Sequence, residues 1–311
     1  MTATKRKRWK VLGLLSVLIS TGLIAWLLSR IDLSRASQLI QTAQWGWLLL
    51  AGLVIALIPF AHTWRWRGVL RAQPGLSIPY KSTLKAVLMA NAINSMVPSK
   101  AGDAAKIFYI KSRSGIIIGA GTVILERLVD LIVLSLLGLV CYTIYQISWA
   151  LWVGLGLLAI VSGFFTVVLI LNRYSVSKGK SIQERVTAFT SVFSRWIRHP
   201  RSIAQTFISS ACSWALAGFT VCCLITAIGA DIPWGFAYSI YPLAVLAGLV
   251  PTTISGLGTR DAAFVFLLSA YADMEEATLI ALGYTIYNYW FLSLIGLPVV
   301  FRELWTWFKK T

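Results

Sequence analysis

Charge is scarce in this chain, and acidic charge scarcer still. Only 13% of its 311 residues are charged, with 11 Asp and Glu against 28 Lys and Arg, while 58% are hydrophobic. At a mean hydropathy of +0.75 this excludes a soluble globular domain. The fold class expected is an all-α polytopic membrane protein. Two histidines, His62 and His199, are too few for a transition-metal site. The four cysteines, Cys141, Cys212, Cys222 and Cys223, lie inside apolar runs without metal-ligand spacing, and read as packed thiols. The chain has no P-loop, no nucleophile elbow and no dinucleotide fingerprint. No metal, no cofactor and no catalytic residue is therefore nominated.

The net charge of +17 raises the question of nucleic acid, but its distribution argues against it. The cations sit in short segments between apolar runs, as the positive-inside rule places them, and suit an anionic lipid surface. Residues 1–10 form a basic cytoplasmic tail holding Lys5, Arg6, Lys7, Arg8 and Lys10. An apolar run at 11–29 follows with no small-residue cleavage site, so it reads as an uncleaved first span. Further spans are expected at 45–64, 116–146, 149–171, 202–229 and 277–301. Trp45, Trp47 and Trp64 are placed as interface anchors, and Arg65, Arg67, Arg71, Lys81 and Lys85 as a cytoplasmic loop. Residues 172–201 form a second basic cytoplasmic loop. Within it Val186, Phe189, Phe193 and Trp196 recur at helical spacing. That pattern fits a helix lying on an anionic membrane surface or one packed against the protein itself. In this topology 24 of the 28 Lys and Arg are cytoplasmic, as are both termini.

Two breaks interrupt the apolar pattern. The first is Pro98-Ser99-Lys100-Ala101-Gly102-Asp103, and the second runs from Pro251 through Gly256, Gly258 and Arg260 to Asp261. Proline followed by glycine stops a helix. A break at membrane depth is tolerated only where it is buried in protein or lines a wet cavity. The apolar segments around each break are short. Re-entrant hairpins at 82–115 and 235–272, dipping in from opposite leaflets, satisfy the charge rule, although eight full spans fit the hydropathy nearly as well. Opposed hairpins are what an inverted repeat produces.

Glu126, Arg127 and Asp130 share a helix face inside the third expected span. Charges at that depth cost roughly 2.5–3.5 kcal/mol each and normally face a bundle interior or a water-filled cavity. One reading is a local pair that fixes helix packing. The other has Arg127 grip a phosphate head group while the carboxylates hold its guanidinium or carry protons. Arg260 and Asp261 repeat the theme at the second break, Lys100, Lys106 and Asp103 at the first. Asn94 and Asn288 are expected to hydrogen-bond across helices. Tyr287 and Tyr289 fit either the site or an interfacial aromatic belt.

These motifs together resemble the flippase-like membrane domain family, which includes the transmembrane region of lysylphosphatidylglycerol synthases and stand-alone relatives. Its first motif appears as Pro98, Gly102, Asp103 and Lys106, its second as Glu126, Arg127 and Asp130, and its third as Pro251, Gly256, Gly258, Arg260 and Asp261. Asp103 and Asp261 stand where the family typically has Glu. The resemblance covers about residues 10–305. It implies translocation of a lipid between leaflets, or supply of lipid to a partner enzyme, in a prokaryotic inner membrane. With the chain ending at Thr311, the expectation is a stand-alone member that does not make the aminoacyl lipid itself. The partners expected are membrane lipids of anionic type, a phospholipid or polyprenyl phosphate. Alternatives are a membrane enzyme using Glu126 or Asp130 as acid or base, and a scaffold docking a lipid-modifying transferase through 172–201.

Overall fold

The computed structural model describes residues 3–95, 102–174, 180–249 and 252–308. Pro98, Lys100 and Pro251 lie outside them. The described chain is all-α: α1 (Ala3–Leu28), α2 (Leu33–Gln41), α3 (Trp45–Arg71), α4 (Tyr80–Asn94), α5 (Ala104–Tyr145), α6 (Ser148–Tyr174), α7 (Lys180–Ile197), α8 (Pro200–Ile228), α9 (Trp234–Ala247), α10 (Thr259–Leu268), α11 (Met274–Thr285) and α12 (Leu292–Phe308). A π turn, Ile286–Phe291, joins the last two. Among the described residues, four helices are long and apolar enough to cross a bilayer: Trp45–Arg71, Ser148–Leu171, Pro200–Ile228 and Met274–Glu303. A fifth is added if Leu15–Leu28 and Leu33–Gln41, bent by 85°, form one broken span. α6 leaves Trp152, Ile160 and Leu169 bare, as a lipid-facing helix does.

The order of elements repeats. A long helix, a short amphipathic one, a long helix, a short helix, a break, a second short helix and a final long stretch occur once in α1–α5 and again in α6–α12. Inside α5 the last two parts are separated by Gly115 at φ +77°, a conformation open to glycine, where the helix kinks. α4, α9 and α10 have 15, 14 and 10 residues, too few for a bilayer core that takes about 20 helical residues.

By packing, the chain divides into two compact units. The first comprises residues 1–56, 91–102 and 217–311, the second 57–90 and 103–216. In the first unit α9, α10 and α11 pack in sequence and α1 rests on the second break. Ile254 N donates to Ser20 Oγ there at 3.0 Å. The break turns through Ser255 at φ +53° and Gly256 at φ +75°. Asp273 caps α11 by accepting from Glu276 N at 2.8 Å, and it pairs with Arg35 of α2 at 3.0 Å. The turn before α2 and the turn before α11 therefore lie together.

In the second unit α7 settles the question left by its periodicity. Val192, Phe193 and Trp196 are buried, and the Phe193 ring lies 5.3 Å from Phe164 and 6.0 Å from Phe165 of α6. Gln73 donates to Val192 O at 3.1 Å. The apolar face is spent on the protein, so the membrane-surface reading of α7 is corrected. Glu184 and Arg185 of α7, and Arg198 just beyond it, are exposed.

A Cβ at Gly256 would stand 2.7 Å from the Gly248 backbone, in a conformation that L side chains rarely adopt. Gly256→Ala should destabilise the protein by about 1–3 kcal/mol. The check is its melting temperature in detergent by intrinsic tryptophan fluorescence; an unchanged value would contradict the tight turn.

Candidate functional site

α3 runs two turns past the expected membrane boundary at Trp64, to Arg71. Trp66 is buried and donates from Nε1 to Thr122 Oγ1 at 3.4 Å, so the end of α3 is packed against α5 rather than released as a loop. This carries Arg65 inside, where its side chain is 1% exposed. Its Nε donates to Glu126 Oε1 at 3.1 Å and its Nη1 to Asp130 Oδ1 at 2.5 Å. Lys106 Nζ, on the first limb of α5, reaches Glu126 Oε2 at 3.0 Å and Asp103 Oδ1 at 3.7 Å. Arg127 bridges Asp103 Oδ2 at 3.1 Å and Asp130 Oδ2 at 3.0 Å. Ser210 Oγ and Trp214 Nε1 of α8 also donate to Asp130, at 2.6 and 3.3 Å.

Among the described residues, three cations and three carboxylates thus form one network inside the second unit, with formal charges that cancel. All are nearly inaccessible except Arg127, whose side chain is 30% exposed. Balance is what makes this burial tolerable: an ion stripped of water costs several kcal/mol unless paired. Two donors remain unspent. Arg65 Nη2 and Arg127 Nε are buried and have no acceptor among the described residues. His62, one turn before Arg65 on α3, lies within electrostatic reach of Arg65, Lys106, Arg127 and Asp130.

The first unit holds a second polar centre. Arg260 is fully buried; it donates to Ser255 O at 3.1 Å and to Thr285 Oγ1 at 2.5 Å, and pairs with Asp261 at 3.4 Å. Its guanidinium lies 4.0 Å from the Tyr289 ring centre. Thr285 donates to Asp261 Oδ1 at 2.6 Å. Asp261 also accepts from Gly258 N at 2.8 Å, closing the break. The two centres share a register: the aspartate after each break bonds a residue 24 positions on, Arg127 in one case and Thr285 in the other.

Of the residues nominated from sequence, Asp103, Lys106, Glu126, Arg127 and Asp130 come together in the second unit, and Arg260 and Asp261 in the first. Lys100 lies outside the described residues. Asp103 begins α5 without capping it; its carboxylate is turned to Lys106 and Arg127. Asn94 contributes its carbonyl, which accepts from Ser255 Oγ at 2.6 Å. Asn288 Nδ2 is buried with no acceptor among the described residues. Tyr287 donates to Leu48 O at 2.9 Å and Tyr289 packs under Arg260, so neither is a plain interfacial aromatic. Arg65 was assigned to a cytoplasmic loop and is corrected to a buried network member. The sequence carries no signal for it, since Lys100, Lys106 and Arg127 already match Asp103, Glu126 and Asp130 in number.

A multi-pass all-α membrane protein with paired helix breaks and buried, balanced charge is the class this architecture defines. Residues 13–296 match the family described as the lysylphosphatidylglycerol synthase TM region. The chain belongs to that family. It is similar to a UPF0104 membrane protein of Methanocaldococcus jannaschii, at 26% identity over 66% of this chain and 91% of the relative. It also resembles a UPF0104 membrane protein of Methanothermobacter thermautotrophicus, at 22% identity over 93% of this chain and 94% of the relative.

Arg65→Ala leaves Glu126 and Asp130 short of a partner and should destabilise the protein by about 3–5 kcal/mol. Arg65→Ala/Asp130→Asn restores the charge balance and should recover part of that loss. A double-mutant cycle on detergent-solubilised protein measures it; purely additive losses would contradict the network.

Proposed function

We propose that the protein moves an anionic, phosphate-bearing lipid between the leaflets of a prokaryotic inner membrane, with both termini cytoplasmic and the two breaks serving as opposed re-entrant hairpins. The observation that carries this reading is Arg127: a guanidinium held between two carboxylates, yet the one member of a buried network that reaches the surface. Such an arginine presents a planar fork to phosphate oxygens, while Lys106 and Arg65 keep the surrounding carboxylates neutralised. The lipid tails stay in the bilayer while the head group crosses through protein. The family to which the chain belongs handles lipid, which supports the same reading. The full burial of Arg260 and its bonds to protein groups favour a bracing role at the second break, leaving Arg127 as the primary anion contact.

The second reading is a membrane partner of a lipid-modifying transferase. The exposed Arg185 of α7 and Arg198 just after it favour it, since the apolar side of that helix is already occupied.

Proteoliposomes carrying fluorescent anionic and zwitterionic lipids separate the two. Wild type should move the anionic class, and Arg127→Lys, which keeps the network's charge but not the planar fork, should lose at least tenfold in rate while staying folded with a melting temperature near that of wild type. Well-folded wild type that moves no lipid would turn the reading toward the partner role.

A further inference from the structure

α2 and α7 occupy the same place in the two copies of the repeat, and each is amphipathic. α7 spends its apolar stripe on the protein, with Phe193 against Phe164 and Phe165 of α6. α2 does not. Its Ala36 is buried, but Leu33 and Ile40 are 70% and 52% exposed. Seven residues apart, these two lie about 20° from one another around the helix, and Arg35 lies about 160° from Leu33. Arg35 is fastened to Asp273 ahead of α11, so the bare pair projects away from that contact. Ser34, Ser37, Gln38 and Gln41, all exposed, fill the arc between Leu33 and Arg35.

Three membrane-crossing helices of the same unit set the level of α2. Trp45 opens the span Trp45–Arg71 four residues after α2 ends. Gln44 N donates to Ala227 O at 2.7 Å, in the last turn of the span Pro200–Ile228. Asp32 N donates to Glu275 Oε1 at 2.7 Å and Arg35 pairs with Asp273 at 3.0 Å, at the start of the span Met274–Glu303. One end of each span thus meets α2 or the residues beside it, which places α2 at the boundary of hydrocarbon and water. It lies at 85° to the adjoining part of α1, Leu15–Leu28. Nine residues with this many polar groups do not enter the hydrocarbon itself. Trp26 and Leu28 before α2 and Trp45 after it are exposed, so Leu33 and Ile40 continue a lipid-facing surface along the chain.

We infer that α2 is a membrane-docking helix: it lies in the bilayer interface and seats Leu33 and Ile40 among the glycerol and upper acyl segments of the lipids. The docking is independent of the lipid-transport reading. Its occupant is lipid without regard to head-group charge. Among the described residues, the charged groups on α2 and the turns that contact it are Asp32, Asp273, Glu275 and Glu276 against Arg35, while Arg30 stacks over the Trp26 ring. This corner holds no surplus of cations with which to select an anionic surface. Apolar burial makes the seat. Because α2 is bonded at two points to the start of α11, the same seat sets the depth of the helix that brings Thr285 to Asp261.

The test is spin labelling of the full-length protein in phosphatidylcholine vesicles. Cys141, Cys222 and Cys223 are buried and Cys212 is exposed, so Cys212→Ala gives a background in which an added cysteine takes the label. Labels on Leu33→Cys and Ile40→Cys should collide with oxygen in preference to a water-soluble nickel chelate, at a depth of about 5–10 Å below the phosphates. Labels on Ser34→Cys and Gln41→Cys should show the reverse preference. Adding phosphatidylglycerol to the vesicles should change neither pattern. Ready access of nickel to all four positions puts α2 in water and overturns the docking. Screening of positions 33 and 40 from both reagents means that protein covers them, a second copy of the chain included, and overturns it as well. A seat that forms only with the anionic lipid overturns the apolar mechanism. In the unmodified chain, a phosphatidylcholine carrying a diazirine on its upper acyl segment should photolabel Leu33 or Ile40. That measurement decides the question even if a cysteine variant does not fold, since labelling confined to other helices contradicts the seat.

Discussion

Neutrality inside an apolar body is the constraint on which the second unit depends. Arg65 enters from α3, Lys106 from the limb after the first break, and Arg127 from the long limb of α5. Each brings a positive charge that the others cannot satisfy, and the carboxylates shared among them fasten the three segments together. In a membrane there is little hydrophobic drive between helices, because lipid is as apolar as leucine. Helix association must come from close packing and polar contacts. Ser135 Oγ donating to Gly154 O at 2.6 Å shows the packing side of this between α5 and α6. The ionic network supplies the polar side.

The two halves use one plan with different chemistry. Each places an aspartate just after a break and ties it 24 residues on, but the first half answers with arginine and the second with threonine. The first centre therefore depends on several charges and keeps one near the surface. The second has a single ion pair cushioned by hydroxyls and an aromatic ring, wholly enclosed.

Much of this was legible without coordinates. Low charge and long apolar runs announce a polytopic membrane protein, and proline with glycine marks both breaks. Glu126, Arg127 and Asp130 are visible because charge is so rare at that depth. Arg65 was not legible, for a physical reason. Trp64 has the look of an interfacial anchor, and an arginine just beyond such a tryptophan ordinarily belongs to water. Only the burial of Trp66 against Thr122 reveals that the helix continues inside. α7 was ambiguous because a helix with one apolar stripe is the same sequence whether the stripe meets lipid or Phe164 and Phe165. Arg260 was legible as a charge but not as an enclosed one, since its partners Thr285 and Tyr289 come from a helix well downstream.

The π turn between α11 and α12 has a consequence for the phase of the last long helix. A π turn holds one residue more than an α turn, which rotates everything after it by about 100° relative to an uninterrupted α-helix. Thr285, before the turn, faces Asp261, and Ser293, after it, hydrogen-bonds with Ser95. The surplus residue is what lets these two polar appointments be kept by one helix. A one-residue deletion within 286–291 is thus absorbed by the turn relaxing to α geometry, whereas the same deletion two turns earlier or later throws one of the two faces out of alignment.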